Sequence, residues 1–251
     1  VEFKNMTSSE SLELTGIFSK QTIAKVGTGT TTRRVAQIGY YFVEQLDKDT
    51  YEVRPLNNEY VPSGDPVKIS SDDLLKDYTP EPEMYHQKVL PKMKELSKTL
   101  ARADRYRNQG KTFSAEMEYG NALKIDIQNV RGNFGIGLCL LERGETDRAN
   151  DVFARLISMN ASFDKEHKHL FNEFGINLRK SKMTVQAIEY YSKALNLSQD
   201  DENLYYNLAR AYFDDENYQK TREALNSALE LRKDFKEAQK FIDYLDKKKL
   251  G

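Results

Sequence analysis

The stretch Leu204-Tyr205-Tyr206-Asn207-Leu208-Ala209-Arg210-Ala211-Tyr212-Phe213, followed after a short polar turn by Asn217-Tyr218, decides how the chain is read. Ala209 is small, Tyr212 three residues on is large, and the two share a helical face. A small residue lets a second helix come close, and the large one fills the space beside it. The same pairing recurs upstream as Ala103 with Tyr106, Gly137 with Leu140, and Gly175 with Leu178. A second series, Ala115, Ala149, Ala187 and Thr221, runs in step with it at spacings of 34, 38 and 34 residues. Its members are followed four residues later by Tyr119, Phe153, Tyr191 and Leu225, and three further on by Ala122, Leu156, Ala194 and Ala228. Self-similarity of this period in helix-forming sequence predicts stacked helical hairpins, each burying its faces against its neighbours.

The pattern resembles the tetratricopeptide-repeat family over roughly residues 96–250. The resemblance implies repeats at 96–129, 130–167, 168–201 and 202–235. Ala238, Phe241, Ile242 and Leu245 then fall at helical spacing and predict a capping helix over 236–249, its negative C-terminal end met by Lys247, Lys248 and Lys249. The chain departs from the family in several places. Ile127, Ala161, Gln199 and Lys233 stand where a helix-closing proline is usual, Thr99 and Arg102 replace large apolar residues, and Asn133 replaces an aromatic. Four extra residues near Ser162–Lys165 lengthen one connection.

The N-terminal third is different in kind. Residues 1–14 are polar and expected to be flexible, and residues 15–80 read as a small β-rich module. Ile38 to Leu46 and Thr50 to Arg54, joined by Asp47-Lys48-Asp49, predict a hairpin, with Gly16–Phe18, Thr22–Val26 and Val67–Ile69 as further strands. Ser71-Asp72-Asp73 starts a short helix through Leu74 and Leu75. The proline-punctuated Thr79-Pro80-Glu81-Pro82-Glu83 is expected to be the linker, with residues 81–95 leading into the helical region. The fold class is thus mostly α, a capped α-solenoid behind a β-rich module.

Composition bounds the function. The 38 Lys and Arg nearly balance 39 Asp and Glu, so no global field draws the chain to nucleic acid or anionic lipid. A hydrophobic fraction of 39% in 251 residues suffices for a core and two domains. One cysteine, Cys139, rules out an internal disulfide framework and sits among Leu138 and Leu140 as an inert packing residue. No apolar run approaches the ~20 residues that cross a bilayer and no secretory leader is visible, so no membrane insertion and a cytoplasmic setting are expected.

Chemistry is sparse. Gly27-Thr28-Gly29-Thr30-Thr31-Thr32-Arg33-Arg34 could hold an anion through Thr30, Thr31, Arg33 and Arg34, but it lacks the lysine and hydroxyl ending of a phosphate loop, and an inter-strand turn explains it as well. His167 and His169 beside Glu166 and Glu173 read as solvated residues rather than metal ligands. With three histidines, no triad can be assembled from spacing, so neither enzyme chemistry nor a cofactor or metal is expected. What remains is a surface. The family geometry implies a groove lined by first helices, with Arg131, Phe134, Leu138, Asn172, Ile176, Arg179, Tyr206, Asn207, Arg210 and Phe213 along it. The carboxylate clamp of some family members is not reproduced, since Leu100, Asp104, Phe134 and Glu173 stand at its positions. The expected function is a non-catalytic adaptor or scaffold whose groove takes a peptide segment of a protein partner. The alternatives are a ligand- or anion-sensing or enzymatic N-terminal module carried on the repeats, and a self-assembling homo-oligomer.

Overall fold

The computed structural model describes residues 14–26, 33–159, 167–197 and 200–250, with the backbone alone at 24–26 and 33–35. The chain forms two compact units, Val1–Ser97 and Lys98–Gly251.

In the first unit, β1 (Thr15–Val26) and β2 (Arg33–Gln45) form a long antiparallel pair in continuous register from Thr15↔Glu44 to Val26↔Arg33. The two strands expected at Gly16–Phe18 and Thr22–Val26 are therefore one. β3 (Thr50–Pro55) pairs with Tyr41–Gln45, and β4 (Val67–Ser70) pairs with β3. The turn between β2 and β3 is held by Asp47, whose carboxylate accepts the Asp49 amide at 3.0 Å. Ser70 caps α1 (Ser71–Asp77), its hydroxyl accepting the Asp73 amide at 3.2 Å. The segment expected to be a linker is instead part of this unit. Thr79 and Pro80 form β5 against Ser19 and Phe18, completing a sheet of order β4-β3-β2-β1-β5. Proline tolerates that place because an edge strand need not donate on both sides. Phe18, Val43, Tyr51, Val53 and Leu74 make the core.

Beyond the sheet, α2 (Pro82–Met84), a π-helical turn at Tyr85–Val89 and α3 (Leu90–Asn108) run on as successive helical segments. The early part belongs to the first unit: Val89 is fully buried, Lys88 lies over the Tyr60 ring, and Lys92 pairs with Glu59 at 3.4 Å.

The second unit is an array of hairpins. α3 is followed by α4 (Thr112–Ile125), then α5 (Val130–Glu142) by α6 (Thr146–Ser158), α7 (Lys168–Lys180) by α8 (Thr184–Leu197), and α9 (Glu202–Asp214) by α10 (Tyr218–Leu231). Every hairpin turns in the same way. The residue at the turn has positive φ: Gly110, Gly144, Lys182 and Glu216. The next amide reaches back to the large residue of the repeat pattern, Lys111 to Tyr106, Glu145 to Leu140, Met183 to Leu178 and Asn217 to Tyr212, at 2.9, 2.9, 3.0 and 2.9 Å. This is the left-handed C-cap that satisfies the last carbonyls of a helix.

Packing follows the small-and-large alternation. A Cβ placed on Gly175 would stand 2.5 Å from the ring of buried Tyr191, so the close approach of α8 to α7 requires that glycine. Around fully buried Tyr190 gather Phe134, Phe153, Phe174 and Tyr191, with ring centroids 5.6 to 6.4 Å away. The capping helix, α11 (Lys236–Lys248), closes the array. Its Phe241 packs on Tyr206 and Phe213, and Ala238 and Leu245 are buried.

Candidate functional site

The side chains facing outward where α3, α5 and α7 meet enclose a groove of about 490 Å³. α3 contributes Asp104, Arg107 and Asn108. α5 contributes Arg131, Gly135 and Leu138, and the start of α7 contributes His169, Leu170 and Glu173 next to His167. Tyr119 of α4 reaches through the hairpin to the floor. Its ring lies so close to Gly135 that a Cβ there would fall 2.3 Å from it.

The charges of this groove are paired across helices. Asp104 accepts hydrogen bonds from the Tyr119 hydroxyl and from Arg131. Arg107 donates to Glu173 at 2.7 Å and reaches Glu142 at 3.4 Å. Burial raises the Tyr119 hydroxyl pKa, and the bond to Asp104 adds to the shift. Burial also raises the Glu142 carboxyl, against the opposing pull of Arg107. The Cys139 thiol, fully buried beneath, is pushed up to about 12 by burial, which leaves it protonated and unreactive near neutrality. Among the described residues, no group of three or more His, Cys, Asp and Glu is placed to hold a metal ion.

The structure divides the residues expected to line one continuous groove. Arg131 and Leu138 line the groove just described, Leu138 as its nearly buried floor. Phe134 does not: it is fully buried, edge-on to Phe174, and is a core residue rather than an anchor for a partner. Asn172 and Ile176 are partly buried on α7, and the Asn172 Oδ1 is buried with no hydrogen-bond donor among the described residues. Arg179 is tied to Asp214 at 2.6 Å. Tyr206 and Phe213 are taken up by the capping segment, Tyr206 against Phe235 and Phe241, Phe213 against Phe241 and Tyr244. Arg210 lies over the Tyr206 ring at 6.0 Å, and Asn207 is half-exposed beside them. The cap thus covers the aromatic end of the expected surface, because α11 packs where a further repeat would place its first helix. Thr30 and Thr31, and the side chains of Arg33 and Arg34, lie outside the described residues.

Tyr119, Gly135, His167, His169 and Leu170 were not expected in the groove. The two histidines carried the available signal, His167 as the residue that precedes α7 and His169 within its first turn, but in the sequence they read as solvated residues and not as part of a surface.

Tetratricopeptide-repeat profiles match residues 133–160, which lie in the second hairpin, and 178–243, from the end of α7 through α8, α9 and α10 into the capping helix. These matched segments are tetratricopeptide-repeat sequence. No repeat profile matches the N-terminal unit, and no curated protein matches the chain. Solved structures to which the chain is similar include MamA from Desulfovibrio magneticus RS-1, at 19% identity over 61% of this chain and 85% of that one, with a TM-score of 0.47. PilF of Pseudomonas aeruginosa is 17% identical over 63% and 71% of the two chains, TM-score 0.49. YrrB, described as a TPR protein with an unusual peptide-binding site, is 20% identical over 62% and 87%, TM-score 0.43. Among the described residues, no helix is long and apolar enough to cross a membrane.

Proposed function

We propose that the helical unit is a non-catalytic scaffold, acting in the cytoplasm, that holds an extended segment of a protein partner in the groove between α3, α5 and α7. The observation that carries it is the groove's lining: Leu138 and Leu170 at an apolar floor, bordered by Arg107, Arg131, Asp104 and Glu173. An apolar side chain of the segment seats over the leucines. Its carboxylates draw Arg131 from Asp104, and its amides donate to the freed Asp104 and to Glu173. Exchange of one ion pair for another keeps every charge partnered, which an interface of this polarity needs.

The test is capture of partners from native lysate by the full chain, followed by titration of the captured protein. Arg131→Ala and Leu170→Ala should each weaken binding by more than about 1 kcal/mol, with the helical signal unchanged. Phe134→Ala serves as the contrast: a truncated buried aromatic should lose roughly 3–5 kcal/mol of stability. Full binding by folded Arg131→Ala and Leu170→Ala variants would remove the groove from the mechanism.

A further inference from the structure

The β1–β2 pair outruns its sheet. β5 meets β1 at Phe18 and Ser19, and β3 meets β2 from Tyr41 onward, yet the two long strands stay paired from Lys20↔Gly39 out to Val26↔Arg33. Over that length, among the described residues, no strand pairs with the outer edge of either. At ~3.3 Å per residue the arm extends roughly 20 Å. Its base is secured, Lys20 pairing with Asp77 at 2.9 Å and lying over Tyr78, which packs edge-on to Tyr41. Beyond the base it exposes apolar side chains. Ile23 is 71% exposed and Ile38 58%, and the register puts them on one face as diagonal neighbours, with Tyr40 further along the same face. The arm is also basic by sequence. From Leu14 to Val43 the chain holds Lys20, Lys25, Arg33 and Arg34 and no acidic residue, within a chain of net charge −1.

A two-stranded ribbon with open edges is marginal in water, and open edges accept further strands. Four kinds of occupant compete for such an arm. A second copy of the arm would set like charges against each other. Nucleic acid would answer the charge but gives nothing for exposed isoleucines. A lipid surface would answer both, yet the unpaired amides and carbonyls of both edges would have to leave water without partners. An added strand answers all three features. We propose that the arm is a strand-addition site for an extended, acidic protein segment that alternates apolar and acidic residues. The backbone of the segment pairs with an open edge, its apolar side chains cover Ile23 and Ile38, and its carboxylates, which alternation turns to the other face, fall on the side of Lys20 and Arg33.

The probe is a fluorescent, end-blocked peptide alternating valine and glutamate, titrated against the full chain. It should bind at least about tenfold tighter than its lysine-for-glutamate counterpart and than a copy N-methylated at alternate amides, which keeps the side chains and cannot pair. Ile23→Thr with Ile38→Thr, which keeps strand propensity and touches exposed positions, should weaken binding about fivefold or more without shifting the melting temperature. Arg33→Glu, at the register position opposite the isoleucine face where an alternating segment turns its glutamates, should remove most of the preference over the lysine peptide. Equal binding of the N-methylated peptide overturns strand addition. So does sedimentation with phosphatidylserine vesicles that the isoleucine variant abolishes, which assigns the arm to lipid, or a concentration-dependent dimer lost in that variant, which assigns it to a second copy.

Discussion

Asn133 stands where the family pattern favours a large aromatic, and it is fully buried. Its amide nitrogen donates to the carbonyls of Ile127 and Asn129, at 3.0 and 2.9 Å, and its oxygen accepts from Arg155 at 3.0 Å. The side chain therefore fastens the loop before α5 to the first turn of that helix and links it to α6. Restoring an apolar residue should not restore stability. Asn133→Leu should lower it by about 1–2 kcal/mol, because the Ile127 carbonyl loses this donor and the Arg155 guanidinium its acceptor, while the Asn129 carbonyl keeps the backbone amide of residue 133. A urea midpoint that rises in this variant would show that the family's preference outweighs the hydrogen bonds. Phe134 next to it illustrates the opposite case. Its burial follows from helical periodicity, since it lies one turn before Leu138 on the same face, and periodicity favours core over groove at such a position.

At the scale of elements, the hairpin turns carry the repeat more faithfully than the side chains do. All four have a residue of positive φ at the same place, yet two of them are Lys182 and Glu216. Left-handed backbone is unfavourable for residues with a Cβ by roughly 1–2 kcal/mol. Glu216→Gly and Lys182→Gly should each stabilise the helical unit by about 0.5–1 kcal/mol, and Gly144→Lys should destabilise it by a similar amount, read from thermal melts. The turn at Glu216 was legible in the sequence from the Asn217-Tyr218 that follows it, while the other three were placed only by the spacing of the repeats. The helices themselves were legible because small and large residues recur in register. β5 was not, because two residues holding a proline carry no strand pattern, and what makes Thr79–Pro80 a strand is the neighbouring backbone of Phe18 and Ser19. The aromatic end of the expected groove is partly covered for a related reason. Tyr206 and Phe213 have the right helical phase for a surface, and whether that phase meets solvent depends on the cap that follows.

Across the whole molecule, the boundary at Ser97 and Lys98 lies well beyond the prolines that seemed to mark it. A fragment of residues 83–251 retains all of α3 and every hairpin, and should remain helical with a cooperative melt, since repeats bury their faces chiefly against neighbours. A 1–97 fragment should keep its sheet. A 1–80 fragment should lose it, because the segment bearing Val89 and the partners of Tyr60 and Glu59 is gone. Circular dichroism of the three fragments decides this, and a folded 1–80 would return the boundary to the prolines.

The aromatic cluster has an optical consequence. The chain has 15 tyrosines and no tryptophan, and Tyr119, Tyr190 and Tyr191 are sealed inside the helical unit with their hydroxyls held above the ordinary value of 10, chiefly by burial. A pKa raised in the folded state contributes stability that is intact below pH 10 and fades as the pH climbs past it. In an alkaline titration these three should ionise in a separate, late rise of near-ultraviolet absorbance, as the repeats open and admit hydroxide. The protein thus carries an unlabelled chromophore for the opening of its own core, one that a lone Tyr191→Phe substitution should diminish without erasing.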